Sequence, residues 1–421
     1  MVKKLIAAIL CFATYGVSAQ NGTVSPYSFF GIGDLKSVRT VDNQMMGGLG
    51  IYTDSIHIHL NNPASLGKLG LTAYSAAFSH KELRLETFTE EQNSSVSNLE
   101  YLAVALPIKS QQAAIGFGLK PFSSIGYSLV NETTDSQGSL VTSEFNGRGG
   151  LNQVYLSAGF RVLPDLHVGA TVNYFFGNLE TARLQLVEDV VFGTQDLRQS
   201  EVSGFDFNYG LTYTPSFGKH TLFTSLRVNT RGNLVSKNNQ QIGSVVASTL
   251  RPIEVIEVDL DRLNLRNTEI KIPTTTSIGL GYGQDKRWFV GAEYSFQKYS
   301  DFVNTFLEQD NTEYEDASSY ALGGFFIPDY NSFDSFFNRV VYRAGVRLDN
   351  TGLVVNDKPL ENFGITFGLG LPISADFSNL NIGFELGRRG TTMNDLVRES
   401  YFKVSVGLAF NARWFLKRQI N

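Results

Sequence analysis

Residues 166–176 read LHVGATVNYFF, and apolar side chains alternate in this stretch with small or polar ones. Leu166, Val168 and Val172 fall on one face, whereas Thr171 and Asn173 fall on the other. A two-residue period predicts a β-strand, because successive side chains leave a strand on opposite sides. The same period returns in four further stretches, at 207–213, 278–282, 363–369 and 402–410. A soluble sandwich buries such an apolar face, and a transmembrane barrel turns it toward lipid.

The N-terminus favours the barrel, because Met1–Ala19 has the features of a secretory signal peptide. Lys3 and Lys4 precede an apolar run, and the small residues 17–19 suit a cleavage site. Cys11, the only cysteine of the chain, lies inside this segment. We therefore expect a mature protein without disulfides, thiolate metal sites or cysteine nucleophiles.

The composition agrees with a membrane barrel of many strands. The 421 residues include 40 glycines and 32 phenylalanines but only 11 prolines, which suits aromatic girdles and crowded interior positions. No apolar run after residue 19 is long enough for a membrane-spanning helix. The net charge of −5 is mild and argues against a nucleic-acid partner.

Two regions follow the signal peptide. Residues 20–67 do not alternate, are rich in glycine and are too apolar for a solvated tail, so we expect them to form a hatch inside the barrel. Residues 68–421 predict an all-β fold, a transmembrane antiparallel β-barrel of about 14 strands. The strands are expected at 70–80, 98–107, 112–119, 151–161, 166–177, 203–213, 220–229, 273–282, 288–298, 318–327, 339–348, 362–371, 380–389 and 400–410.

The connections between these strands alternate between short and long. Outer-membrane barrels have short periplasmic turns and long outer loops. An even strand number then places both termini in the periplasm of a Gram-negative bacterium. The long outer loops are expected at 81–97, 120–150, 178–202, 230–272 and 299–317.

Several short motifs resemble the FadL-type family of outer-membrane transporters. Asn62-Pro63-Ala64 stands directly before the first strand, as in that family. Ile272-Pro273 with the following 277–282, Tyr342–Gly345 and Phe363–Gly368 are similar to its later strands. The resemblance implies a fourteen-stranded barrel, an N-terminal luminal hatch, and diffusion of an apolar ligand through the wall or the hatch.

Six positions are candidates for the working of the hatch. Pro63 fixes its own φ and biases Asn62 toward extended geometry, while Ala64 allows close approach to the wall. Glycines accept conformations that other residues resist, so Gly47, Gly48 and Gly50 would let the hatch shift. A static hatch that only stabilises the barrel is the alternative.

Charged residues at inward positions form a second candidate group. A charge on the lipid face at mid-membrane costs about 2–4 kcal/mol, so strand parity predicts that these side chains face the lumen. They would form either a structural network between hatch and wall or a clamp for a ligand carboxylate, which an arginine binds through two parallel hydrogen bonds. The group consists of Arg161, Glu293, Arg343, Arg347, Glu385 and Arg389.

Catalytic chemistry is not indicated. The sequence lacks the hydrolase elbow, the zinc-protease motif and the phosphate-binding loops, so we expect no enzyme activity, catalytic residue or cofactor. His57 and His59 lie on one side of an extended segment, but with no third ligand in range a metal site is not predicted.

These features predict passive uptake of hydrophobic compounds, such as long-chain fatty acids, across the outer membrane. The alternative is a non-transporting barrel of the same fold that serves as a subunit of a secretion or barrel-assembly complex. Expected partners are outer-membrane lipid and lipopolysaccharide, a hydrophobic ligand and, for the alternative, other proteins of the complex.

Overall fold

Fourteen antiparallel strands close into one barrel in the computed structural model, which describes residues 22–36, 39–307, 312–373 and 378–414. The predicted signal peptide lies outside the described residues. The barrel closes because the first strand pairs with the last along its whole length. The strands are β1 (Thr72–Glu86), β2 (Glu91–Lys109), β3 (Ala113–Thr134), β4 (Leu140–Leu163), β5 (Leu166–Val187), β6 (Phe192–Tyr213), β7 (His220–Asn229 and Gly232–Val246), β8 (Asn267–Ile272 and Thr275–Gln284), β9 (Trp288–Gln297), β10 (Ala317–Phe326), β11 (Val341–Val355), β12 (Lys358–Pro372), β13 (Asn379–Arg389) and β14 (Arg398–Ala412).

Two of these strands are interrupted but remain single strands of the wall. Both parts of β7 pair with β6, and both parts of β8 pair with β7. Smaller elements complete the described chain: the helix α1 (Val41–Gln44), 3-10 turns at Pro26–Phe29, Pro63–Lys68, Tyr299–Asp301 and Phe337–Arg339, and short strands at Asp34–Leu35, Ser216–Phe217, Pro252–Glu257, Val303–Asn304 and Thr312–Tyr314. Among the described residues, no helix has the length and apolar content needed to cross a membrane.

The alternating faces point as the sequence predicts. In β5, Val172 and Tyr174 are exposed on the outer face, and Thr171, Asn173 and Phe175 are buried on the inner face. Hydrogen bonds to both neighbouring strands hold β5 in register, so the alternation fixes the inner and outer faces along the strand.

Fourteen strands were predicted and the number is confirmed, but the strands are longer than expected. The segment 120–150 was predicted as a loop and is mostly strand, since β3 continues to Thr134 and β4 begins at Leu140. The same holds for most of 81–97 and 178–202. These extensions carry polar residues on both faces, so they lack the alternation that marks a wall strand. Pairing between neighbours nevertheless satisfies their backbone groups.

The two ends of the barrel therefore differ. Short turns such as 110–112, 164–165 and 285–287 join the strands at what we call the short-turn end. The extended hairpins project from the opposite, long-strand end. One connection at the short-turn end is longer, because β10 and β11 are joined by residues 327–340.

Val172→Arg should impair assembly, because it places a charge at mid-membrane on the lipid face, at a cost of about 2–4 kcal/mol. Val130→Arg is the matched control, since Val130 is also exposed but lies in the extension of β3. The folded fraction after refolding into liposomes, measured by heat-modifiable migration on gels, compares the two. Equal folded fractions would show that the outer face of β5 does not contact lipid.

Candidate functional site

The first candidate region is the barrel interior, where an inner segment (residues 39–68) contacts the wall on all sides. Met45, Met46 and Leu49 are buried. Inward glycines of the wall leave room for this segment: a methyl group at Gly323 would lie 2.3 Å from the carbonyl oxygen of Met46, and one at Gly345 would lie 2.1 Å from the Gly47 nitrogen. The glycine-rich strands thus accommodate backbone rather than a phosphate group.

The Asn62-Pro63-Ala64 motif lies against β4, β5 and β6. The Asn62 side-chain amide donates to the carbonyl oxygen of Gly50 at 3.0 Å. A methyl group at Gly169 would lie 2.4 Å from the Pro63 carbonyl oxygen and 2.6 Å from the Ala64 nitrogen. The motif therefore packs with its backbone directly on the wall.

The glycines predicted to permit movement lie in tightly packed backbone. Gly47 has φ +69° and Gly48 has φ +89°, which is the left-handed region that favours glycine. The Gly47 N–H donates to the hydroxyl of Thr366 at 3.0 Å, and the Gly50 N–H donates to the carboxylate of Glu293 at 2.9 Å. This geometry explains why glycine occupies these positions, and movement of the segment stays a prediction.

Glu293 belongs to a buried ion pair that sequence reasoning found only in part. Its partner is Arg227 in β7, and both side chains are buried. Arg227 was missed, although it alternates with the outward Leu226 and Val228 and the same parity argument applies to it. Because Glu293 also accepts the Gly50 N–H, the pair joins β7, β9 and the inner segment.

Arg347 and Glu385 form a second network on β11 and β13, with 3.0 Å between the guanidinium and the carboxylate. The hydroxyl of Tyr401 also donates to Glu385 at 3.0 Å. Arg343 lies nearer the short-turn end of the same strand and donates to the Asn381 side chain at 3.0 Å. These contacts join wall strands to one another and not to the inner segment, so the predicted role of these charges stays a prediction.

Arg389 and Arg161 differ from the rest of the predicted group. Arg389 donates to Asp34 of the N-terminal chain at 2.7 Å, a partner that parity could not reveal. Arg161 is exposed rather than luminal, because β4 ends two residues later, at Leu163, where the wall no longer encloses inward side chains.

The two histidines of the inner segment have separate partners. His57 pairs with Asp54, with 2.5 Å between ring nitrogen and carboxylate, and His59 contacts the side-chain amide of Asn43 at 2.9 Å. Burial alone would raise the pKa of Asp54, but the nearby His57 imidazole outweighs it and holds that pKa well below its usual value. The described residues contain no group of three or more candidate metal ligands.

A cavity of about 380 Å³ lies between the N-terminal chain and the inward faces of β8 to β13. Its lining combines aromatic rings with charged and other polar side chains. The aromatic rings include those of Phe30, Tyr299 and Tyr314, and the guanidinium groups are those of Arg39, Arg347 and Arg389.

The second candidate region is a gap in the barrel wall. β2 and β3 pair only near the short-turn end, from Leu102 opposite Leu119 to Lys109 opposite Ala113. Beyond that level, Glu91–Tyr101 pairs with β1 alone, and the rest of β3 pairs with β4 on its other side. The wall is therefore unpaired between β2 and β3 over its long-strand part.

A piece of the N-terminal chain, residues 34–36, covers this gap, and we call it the gap strand. Asp34 pairs with Ser124 and Leu35 with Ser123 on the free edge of β3. The Lys36 N–H donates to the Phe122 carbonyl oxygen at 2.9 Å. Residues 33–36 also line the cavity, so the gap strand separates the cavity from the outside of the barrel.

Comparison with known proteins agrees with this architecture. The family profile described as BamG matches residues 1–421. The chain belongs to the BamG family. None of the curated proteins compared with the chain matches it.

Solved structures similar to the chain are FadL-type barrels. The toluene transporter TodX of Pseudomonas putida has a TM-score of 0.60 at 15% identity, over 90% of this chain and 100% of TodX. The toluene transporter TbuX of Ralstonia pickettii gives 0.58 at 14% identity, over 90% and 98%. A Pseudomonas aeruginosa FadL homologue gives 0.53 at 12% identity, over 90% and 98%. These similarities confirm the FadL-type fold that the motifs indicated.

Glu293→Gln should destabilise the barrel strongly, because it leaves the buried Arg227 charge unpaired, at a cost of about 3–5 kcal/mol. Asp301→Asn is the control, since its pair with Lys298 is exposed and such pairs contribute at most about 1 kcal/mol. Urea unfolding, monitored by tryptophan fluorescence, gives the free energy of unfolding of each variant. If both variants lose similarly little free energy of unfolding, the buried ion pair does not hold the inner segment.

Gly47→Ala should destabilise more than Gly218→Ala. The two glycines have φ of +69° and +64°, so both variants strain the backbone equally. Only at Gly47 would the new methyl group also meet backbone, 2.7 Å from the Val346 carbonyl oxygen, whereas Gly218 has open space. Urea-unfolding midpoints check the comparison, and equal midpoint shifts would show that Gly47 is not packed against the wall.

Proposed function

We propose that this protein takes up hydrophobic compounds passively across the outer membrane, with both termini in the periplasm. The observation that carries the proposal is the gap between β2 and β3, which the chain covers with the gap strand instead of a wall strand. A laterally open wall lets an apolar molecule enter the bilayer directly, without crossing an aqueous channel.

Few interactions join the cover on the gap to the wall. Two residue pairs and the Lys36 N–H join the gap strand to β3, and Arg389 of β13 donates to Asp34. Within the N-terminal chain, the Thr23 hydroxyl donates to Asp34 and the Lys36 side chain donates to the Gly22 carbonyl oxygen. Leu35 is 45% exposed. Displacement of the gap strand would connect the cavity to the surrounding lipid. Release of a wall strand would instead break its whole hydrogen-bond ladder with a neighbouring strand.

The cavity offers both aromatic surface and positive charge to a substrate. Phe30 and Tyr299 offer aromatic surface, and Arg39 adds a guanidinium that lies close to Gly48. A neutral aromatic compound would use the rings alone. A long-chain fatty acid would also place its carboxylate at Arg39, because a guanidinium binds carboxylates in a bidentate manner.

A reversible covalent lock on the gap strand tests the proposal. In Leu35→Cys/Ser123→Cys the two cysteines face each other across paired antiparallel strands, at a spacing that suits a disulfide. The oxidised protein should lose uptake of toluene and oleate into liposomes, and reduction should restore it. Ser157→Cys/Thr171→Cys, which joins two strands that are already paired in the wall, should transport equally in both states.

Unchanged uptake by the oxidised lock would rule out passage through the gap. If neither state of either protein transports toluene or oleate, the alternative function as a subunit of an outer-membrane complex is favoured. The observation behind that alternative is the connection between β10 and β11, where Phe333 is fully exposed and Phe336 and Phe337 are exposed as well. Such an apolar surface at the short-turn end fits contact with another protein.

A further inference from the structure

The outer face of the wall changes from apolar to polar at one level toward the long-strand end. On β6 the exposed rings of Phe207 and Phe205 are followed by Ser203. On β7 the outward Val228 is followed by Arg231, which lies in the interruption of this strand and is exposed. Because a charge within the hydrocarbon is costly, this change places Arg231 at the depth where the lipid headgroups begin.

A groove of about 580 Å³ opens on the outer face of β5, β6 and β7 at this boundary. The rings of Tyr174 and Phe205 line its apolar side, with 4.8 Å between their centroids. Arg231 and Val235 line it from β7, and Ser203 is small and leaves room beside the rings. The groove thus joins aromatic surface to a guanidinium group.

A second cation lies beside the groove. Lys271 of β8 alternates with two buried isoleucines and so points outward. The pairing of β7 with β8 makes its side chain a diagonal neighbour of Arg231, within reach of long side chains. In the part of the chain that the structure describes, neither cation has an ion-pair partner.

The acidic residues of this outer face lie farther along the strands. Glu269 of β8 pairs with position 235 of β7, and Glu201 of β6 pairs with position 237. Both positions follow Arg231 in the direction that leads away from the apolar part of the wall. The boundary itself therefore carries positive charge beside aromatic rings, which suits an anionic molecule with an apolar part.

We propose that the groove binds lipid A, the phosphorylated lipid of lipopolysaccharide, with one phosphate at Arg231. The guanidinium binds a phosphate in a bidentate manner, and Lys271 adds a second positive charge. The acyl chains lie against Tyr174 and Phe205, where the outer face already contacts hydrocarbon. The choice of lipid A rests on the proposed orientation, which places the long-strand end in the outer leaflet.

Native mass spectrometry of the purified protein in detergent measures lipid binding without transport, so its result does not depend on the proposed uptake. The wild-type protein should bind one molecule of bisphosphorylated lipid A. Dephosphorylated lipid A, which has the same acyl chains, should bind at least tenfold more weakly. Arg231→Gln should weaken binding of bisphosphorylated lipid A about tenfold, as expected for the loss of a charge-assisted hydrogen bond. Arg231→Lys should weaken it less, because it keeps the charge but not the bidentate geometry.

Arg388→Gln is the matched control. Arg388 is an exposed arginine that follows the outward Leu386 on β13, so the variant removes the same charge from another part of the wall. It should leave lipid A binding unchanged. Heat-modifiable migration on gels checks that each variant is folded. Equal weakening by Arg388→Gln, equal binding of the dephosphorylated lipid, or displacement by an equal concentration of inorganic phosphate would each overturn the proposal.

The orientation has its own measurement. Ser136→Cys places a thiol in the exposed turn between β3 and β4, and a membrane-impermeant maleimide should label it in intact cells. If the thiol is labelled and lipid A does not bind, the groove is refuted while the orientation holds. If the thiol is not labelled, the groove faces the other leaflet and the choice of lipid A is wrong.

Discussion

A backbone N–H or C=O group at membrane depth must have a hydrogen-bond partner within the protein, and this constraint governs the whole structure. Most of the wall's junctions meet it by strand pairing along the wall, including the junction of β1 and β14 that closes the barrel. The junction of β2 and β3 does not. There the chain supplies residues 34–36 from its own N-terminal region, so the constraint itself requires that something cover the gap.

The barrel interior follows from the same constraint. The inner segment has little regular structure, and its backbone bonds in part to wall side chains such as Thr366 and Glu293. The backbones of the inner segment and the wall can approach closely only where both carry glycine, as at Gly47 and Gly345. Since buried charges need partners, the inward charges of the wall occur in pairs and networks. Wall and inner segment thus form one packed unit, and the gap strand joins β3 through two residue pairs and the Lys36 N–H.

Much of this fold follows from the sequence. The two-residue period of β5 and its counterparts gave the fold class, the strand number and the direction of most inward side chains. The period could not mark the extensions of β3 and β4, because they carry polar residues on both faces. Parity also fails near strand ends, which explains why Arg161 is exposed.

The candidate site was less accessible to sequence reasoning. Glu293 and Glu385 could be assigned to the interior, but their contacts depend on which strands and loops lie opposite. Arg227 satisfied the same parity and was overlooked. The gap could not be predicted, because the side-chain pattern of a strand shows which way its residues point but not whether its neighbour hydrogen-bonds to it. Pairing is a property of two segments together, and Asp34 and Arg389 are far apart in the chain.

The central claim is that the gap strand covers a lateral opening and moves when a hydrophobic compound passes. Spin labels at Leu35 and Leu102, both exposed, measure this directly by electron–electron double resonance in lipid nanodiscs. The account predicts one short distance without ligand and a second, longer distance when toluene is added. A single distance that toluene does not change would contradict it.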